Sequence, residues 1–259
     1  MRTTPHASVE DSNAILTVTL NRPEKLNAIS PAITEVLSDA VRALRDRDDL
    51  RVLVIQATGT YFTAGYDITE IDETDRSPSE YRNHYLGHHR LYDAMEEVDK
   101  PIILAVQGKC LGAGVEMSGS CDFRFASDTA TFRLPEINLA VIPGSGGTSR
   151  MTRLIGQHWT KWLAMAGQPV DAQRALMIGL VHDVYPLAGF HQRVREFAIG
   201  LTKLPREALG LSKIAINMCA NTDPATARDV ERLANNVLVY GHEYKQRVAD
   251  FKNSTSTRT

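Results

Sequence analysis

Residues 14–20 (AILTVTL) and 52–57 (VLVIQA) are short runs rich in Val, Ile and Leu, and between them residues 31–45 carry apolar side chains at helical spacing. Short apolar runs bounded by polar sequence read as strands, and the 3.6-residue period reads as a helix. Strand and helix alternate through about the first 130 residues, which is the pattern of an α/β fold. The helix has its own start signal. Ser30 suits an N-cap, Pro31 suits the first helical position, and Ile33, Val36, Leu37, Ala40, Val41 and Leu44 form one apolar face, expected to cover a sheet.

A second helix, polar and His-bearing, is expected over residues 80–98. It ends ahead of Pro101, because proline disfavours helical geometry in the residue before it. A strand over 102–106 follows directly. Beyond Thr131 the alternation stops: a short segment, 132–138, leads through Pro143-Gly144-Ser145-Gly146-Gly147 into sequence that reads as mainly helical to Phe251. Within it, 207–218 and 224–249 have apolar positions such as Val230, Leu233, Ala234, Val237, Leu238 and Val248 at helical spacing, so they must bury a face somewhere. The Ser/Thr-rich end, 253–259, is expected to fray.

With 259 residues the chain can bury a substantial core. Its 43 % apolar and 23 % charged composition excludes a disordered or fibrous chain. The formal charge of -2, from 29 Lys and Arg against 31 Asp and Glu, gives no broad positive field for nucleic acid or an anionic membrane. The cysteines Cys110, Cys121 and Cys219 include no CxxC pair, so neither a disulfide framework nor a zinc site is indicated, and a reducing compartment suits them. No apolar run approaches the ~18 residues of a membrane span and the polar start has no secretory core, so a cytoplasmic location is expected.

Three segments could carry chemistry. YFTAGYDI (61–68) follows a strand and replaces an ordinary turn with small residues, which let backbone approach a ligand. GKCLGAGVEM (108–117) ends a strand and begins a glycine-interrupted helix, whose first N–H groups have no intrahelical partner and suit an anion or oxyanion. FRLPEI (132–137) sets Glu136 beside proline and apolar neighbours, and Glu116 lies between Val115 and Met117. A carboxylate in an apolar setting resists ionisation and can serve as general acid or base, and two facing one cleft can divide those roles. An equally simple reading makes Glu116 a helix-start acid and Glu136 a surface acid, and spacing alone does not choose between them. His84, His88 and His89 sit one turn apart or adjacent, but no carboxylate motif accompanies them and no GxGxxG or HExxH motif occurs. Neither a metal nor a redox cofactor is therefore expected.

Taken together and in order, NRPEKLNA (21–28), FTAGYD (62–67), KPIILAVQGKCLGAGVEM (100–117) and FRLPEINLAVIPGSGGTSRM (132–151) resemble the crotonase, or enoyl-CoA hydratase/isomerase, superfamily. The resemblance implies a ββα spiral core over residues 1–200 and a helical region over 201–259 that packs in a homotrimer or a dimer of trimers. It implies an acyl-CoA thioester as substrate, with CoA serving as the handle and no separate cofactor. The backbone N–H groups of Tyr66 and Ala113 would form an oxyanion hole, Glu116 would activate water and Glu136 would deliver a proton to the α-carbon. Lys25, Ala28, Ala64, Gly65, Asp67, Ile68, Leu111, Gly112, Pro135 and Gly144 would contact the thioester or its CoA. Lys25 is the candidate phosphate partner. The implied reaction is hydration of a 2-enoyl-CoA to a 3-hydroxyacyl-CoA. Retention of both acids argues against an isomerase that uses one, and against a non-catalytic CoA- or RNA-binding scaffold. Tyr66 is large where relatives often carry alanine, and Gln246 and Arg247 stand where many have Glu-Gly. The variable segment 71–89, with Tyr81, Tyr85 and its histidines, is expected to help choose the acyl group.

Overall fold

The structure, a computed structural model, describes residues 4–69 and 77–256, with the backbone alone at His84 and residues 254–256. The chain divides into two compact units, Met1–Thr202 and Lys203–Thr259.

The first unit opens with a hairpin of β1 (Ala7–Ser12) and β2 (Ile15–Leu20), turned through Asn13 and Ala14 at φ 57° and 63°. β1 does not stand out in the sequence, since its outward residues are polar and its turn lacks the usual glycine. Helix α1 (Pro31–Asp46) follows, capped by the Ser30 side chain accepting from Ile33 N–H, and it buries the six apolar residues expected of it. The chain then repeats one unit of two strands and a helix: β3 (Val52–Ala57), β4 (Tyr61–Thr63) and α2 (Pro78–Glu97), then β5 (Ile102–Val106), β6 (Lys109–Leu111) and α3 (Ala113–Ser118). A third turn gives β7 (Phe123–Ser127), β8 (Thr131–Arg133) and α4 (Ser149–Ala164), the last broken at Gly156, φ 73°.

The first strand of each turn joins a six-stranded sheet, and the second joins a smaller one in which β4, β6 and β8 run parallel. This is the ββα spiral. Two more strands, β9 (Val170–Asp171) beside β8 and β10 (Asp183–Tyr185) beside β7, lie in sequence read as helical. At two and three residues they are too short to show a period, and pairing to the sheet edges makes them strands. Helices α5 (Ala172–Met177) and α6 (Phe190–Thr202) complete the unit.

Alternate residues of the large sheet face opposite cores. Leu16, Val18, Leu53, Ile55, Leu104 and Val106 pack in the cluster that includes α1, whereas Ile15, Val52, Val54, Ile103 and Phe125 pack with Phe190, Val194 and Ala198 of α6. Burial on both faces explains why these strands read as unbroken apolar runs. Lys100, also buried, donates from Nζ to the carbonyls of Leu44 (2.7 Å) and Arg47 (2.8 Å), satisfying the end of α1.

The second unit contains α7 (Arg206–Cys219), α8 (Pro224–Tyr240) and α9 (His242–Ser256). The expected helix over 224–249 is therefore two helices, broken where Gly241 turns extended at ψ 151°. Of the tail expected to fray from 253, α9 takes in the residues to Ser256, and residues 257–259 lie outside the described residues. α8 buries none of its residues within the chain, and Leu233, Val237 and Tyr240 are exposed. Among the described residues no helix is long and apolar enough to cross a membrane.

Candidate active site

Three parallel strands leave the small sheet at one edge, and there the site is assembled. The pairings Tyr61 with Lys109, Thr63 with Cys110 and Leu111 with Arg133 bring Ala64-Gly65-Tyr66, Gly112-Ala113 and Leu134-Pro135-Glu136 side by side. Carboxyl ends of parallel strands are where open α/β sheets bind ligands.

The loop after β2 is fastened to this edge. Asn27 is wholly buried, and its Nδ2 donates to the carbonyls of Thr58 (2.7 Å) and Tyr61 (2.8 Å) while its Oδ1 accepts from Arg22 N–H (2.7 Å). Ala64 N–H donates to Leu26, and Thr63 Oγ1 donates to the Asn27 carbonyl at 2.8 Å. Arg22 and Asp67 form a buried ion pair of 2.6 Å, and Asp67 also accepts from the Thr69 N–H and hydroxyl. These bonds hold the Asp67 carboxyl below its usual range, the Thr69 hydroxyl bond first.

The result is a cavity of about 820 Å³. Of the residues expected to contact substrate, Lys25, Ala28, Ala64, Gly65, Tyr66, Asp67, Ile68, Gly112, Ala113, Glu116, Pro135, Glu136 and Gly144 line it. Leu111 does not. It is the last residue of β6, where side chains alternate between faces, and the reversal at Gly112 presents Gly112 and Ala113 to the cavity instead. Gly112 takes φ 50° and ψ -118°, a conformation that side-chain-bearing residues avoid, and a Cβ there would stand 2.8 Å from Glu136 Oε1.

Both acids face this space. Glu116 is 2 % exposed, and its Oε1 accepts from Ser145 N–H at 2.8 Å and Gly147 N–H at 3.4 Å. Burial, then the charge of Glu136, pushes its carboxyl from an ordinary 4.5 to about 7, with the two N–H groups and Arg150 offsetting part of the rise. Burial raises Glu136 as well, and its Oε2 is buried with no hydrogen-bond partner among the described residues. Glu116 does lie in the first turn of α3, as a helix-start acid would, but both carboxyls are largely desolvated and line one cavity, so Glu136 is not a plain surface acid.

Two backbone donors are left unused beside them. Ile29 N–H donates to the Gly65 carbonyl (2.8 Å) and Asp67 N–H to the Ile29 carbonyl (3.0 Å), so Tyr66, between them in an extended bridge, turns its own N–H the other way. Ala113 is the first residue of α3 and has no intrahelical acceptor. Neither N–H meets a protein acceptor among the described residues.

The wall from α2 is aromatic. Tyr81, Tyr85 and His88 line the cavity, and His88 packs on the Tyr66 ring with centroids 4.3 Å apart. Burial pushes the Tyr85 phenol up to about 12. His89 lies against Tyr85, and His84's side chain is outside the described residues, as are 70–76 of the variable segment. The described residues contain no group of three His, Cys, Asp or Glu placed to hold a metal. Leu139, Val141 and Ile142, exposed and apolar, form a lip that the sequence reading passed over, although INLAVIP carries the signal of an apolar run before a glycine turn. Also missed were Ser145 and Gly147, which act through backbone N–H and leave no mark of residue type. Arg150, ion-paired with Glu96 (2.9 Å) and Asp93 (2.5 Å), was missed as well.

A spiral of ββα turns, with two desolvated carboxylates and two spare N–H donors at one edge of its small sheet, is a crotonase-type fold. The chain matches the enoyl-CoA hydratase/isomerase family over residues 10–253 and belongs to it. It is 33 % identical over 220 residues to the short-chain-enoyl-CoA hydratase of Clostridium acetobutylicum, covering 85 % of this chain and 84 % of that protein. It is 31 % identical to the crotonyl-CoA hydratase of Syntrophomonas wolfei, covering 94 % and 93 %. The crystal structure of an enoyl-CoA hydratase from Bacillus anthracis superposes with a TM-score of 0.90 at 29 % identity, over 96 % of each chain.

Proposed function

We propose that the protein is an enoyl-CoA hydratase that adds water across the 2,3 double bond of a 2-enoyl-CoA. The observation that carries this reading is the pair Glu116 and Glu136, both desolvated in one cavity beside two unused backbone N–H groups. The thioester oxygen accepts from Tyr66 N–H and Ala113 N–H, which are fixed before the reaction and so stabilise the enolate charge more than the ground state, by a few kcal/mol. In the reactive form of the pair, with Glu116 ionised and the one proton on Glu136, Glu116 takes a proton from water as its oxygen bonds to the β-carbon, and Glu136 delivers its proton to the α-carbon as the enolate collapses. The proton gained by Glu116 then returns to Glu136 or solvent, restoring the singly protonated pair. Repulsion between two buried carboxylates favours that state.

Lys25, exposed at the cavity mouth, would pair with a CoA phosphate, and Ala28, also on the cavity wall, would supply a backbone contact. The uncovered apolar residues of α8 support a homotrimer or dimer of trimers, which light scattering reads directly. The hydratase reading is tested by following the enone absorbance of crotonyl-CoA with wild type, Glu116→Gln and Glu136→Gln. Loss of absorbance with wild type, reduced by about 100-fold or more in each variant, is expected. A folded wild type that binds crotonyl-CoA, cinnamoyl-CoA and a cyclic enoyl-CoA without hydrating any of them would overturn it.

A further inference from the structure

The two unused N–H groups belong to residues that are joined a second time, through side chains. Tyr66 Oη lies 3.1 Å from Tyr92 Oη, and Tyr92 Oη lies 3.3 Å from the carbonyl oxygen of Ala113. The direction of this chain follows from chemistry. A carbonyl only accepts, so Tyr92 donates its single proton to Ala113, and its oxygen accepts from Tyr66. Tyr92 is 2 % exposed, on α2, and its ring is set in the main core, so its hydroxyl has no water to exchange for these partners. Burial raises the Tyr66 and Tyr92 phenols far from ionisation, so both stay proton donors at any working pH.

We infer that Tyr92 is a positioning residue for the reaction, a strut that fixes the Tyr66 and Ala113 backbone donors relative to one another through the chain Tyr66 Oη–Tyr92 Oη–Ala113 carbonyl. The pairing of β4 with β6 joins the two segments only ahead of the donors, at Tyr61 to Thr63 and Lys109 to Cys110, and beyond it the main chain holds each donor separately. Residues 65–67 are held from the Ile29 side, and the backbone before Ala113 turns at Gly112, whose N–H is tied to the Arg133 carbonyl at 2.9 Å. Nothing in those bonds links one donor to the other. The phenol chain does, and a serviceable oxyanion site depends on the relative placement of its donors to a fraction of an ångström. The inference rests on the oxyanion-hole reading of Tyr66 and Ala113. It also gives Tyr66, large at its position, a role beyond filling space.

The test uses the full-length protein and two readouts. The first is hydration of crotonyl-CoA by wild type, Tyr92→Phe, Tyr66→Phe and the double variant, with kcat and KM separated. The second is the absorbance of bound para-dimethylaminocinnamoyl-CoA, whose push–pull chromophore moves to the red as hydrogen bonds draw charge onto its carbonyl oxygen. A strut predicts kcat about tenfold lower in Tyr92→Phe with KM within about twofold, a smaller loss in Tyr66→Phe, a smaller red shift in both, and a double variant no worse than Tyr92→Phe alone. Thermal melts establish that the variants fold, and Tyr66→Phe, on the cavity wall, keeps the test decisive if Tyr92→Phe does not. Variants with wild-type kcat and red shift, losses that multiply in the double variant, or a raised KM at constant kcat would each overturn the strut. A wild type that shows no red shift would overturn the oxyanion-hole reading and the strut with it, whereas a red-shifted wild type without hydration would fault only the hydratase reading.

Discussion

Replacing Glu116 with glutamine should make this protein more stable, and by an amount that depends on pH. The carboxyl is nearly inaccessible and titrates at about 7 in the fold against about 4.5 for an exposed glutamate. Between those values the folded chain holds a proton that the unfolded chain has lost, so stability falls as pH rises from about 4.5 through about 7. Each pKa unit corresponds to about 1.4 kcal/mol, so above pH 7 the ionised Glu116 costs the fold about 3 kcal/mol. The carboxamide is nearly isosteric, carries no charge, and keeps an oxygen for the N–H groups of Ser145 and Gly147. Glu116→Gln should therefore match wild type near pH 4.5 and exceed it by about 3 kcal/mol at pH 9. For a cooperative unit of this size that is a rise in Tm of roughly 6–12 °C. Thermal melts of both proteins at the two pH values, at one fixed protein concentration, measure the difference. A Tm difference independent of pH, or a variant less stable than wild type at pH 9, would refute the assignment of a desolvation cost to this side chain. The same substitution removes the proposed base, so a gain in stability should accompany the loss of turnover.

The same ionisation should shape the rate: with Glu116 as base, kcat/KM for hydration falls as pH drops below about 7, and a profile flat from pH 5.5 to 8 would count against that role. Gly112→Ala forces a side chain into φ 50° and places Cβ 2.8 Å from Glu136 Oε1, so kcat should fall about 100-fold. Gly156→Ala serves as its control, since its φ of 73° is equally strained but no atom lies within 4 Å of the new Cβ, and urea denaturation should show lost stability without lost kcat. Lys100→Met removes the Nζ donor from the Leu44 and Arg47 carbonyls, the latter keeping Leu50 N–H, and should cost about 2 kcal/mol in the same denaturation assay, with kinetics unchanged.

Much of the frame was legible in the sequence where a single helix or strand carries a strong period. The six buried residues of α1 and its Ser30 cap follow from spacing and capping chemistry, and β3 and β5 follow from unbroken apolar runs. What escaped depends on partners far away in the chain. β9 and β10 exist because β8 and β7 offer free edges, and Gly241 breaks a run whose apolar period continues across it. The site divides in the same way. Glu116 and Glu136 are visible by residue type and order, but the N–H groups of Ser145 and Gly147 are backbone donors that almost any residue could supply. Tyr92 carries no signal in the sequence, where its helix reads as polar and His-bearing. Only the placement of Ala113 and Tyr66 beside it shows the hydroxyl to have partners.

The pairing of β6 with β8, three residues long, does more than close a small sheet. A slip of one position between them would carry Glu136 about 3.3 Å along the strand and turn its neighbours to the opposite face. Gly112 and Glu136 would then no longer meet. A molecule that zips these strands in the wrong register thus loses its carboxylate pair at the same moment, whatever secondary structure it has recovered. Turnover counts correctly registered molecules one by one, and in a refolding mixture it would distinguish them from compact impostors that circular dichroism scores as native.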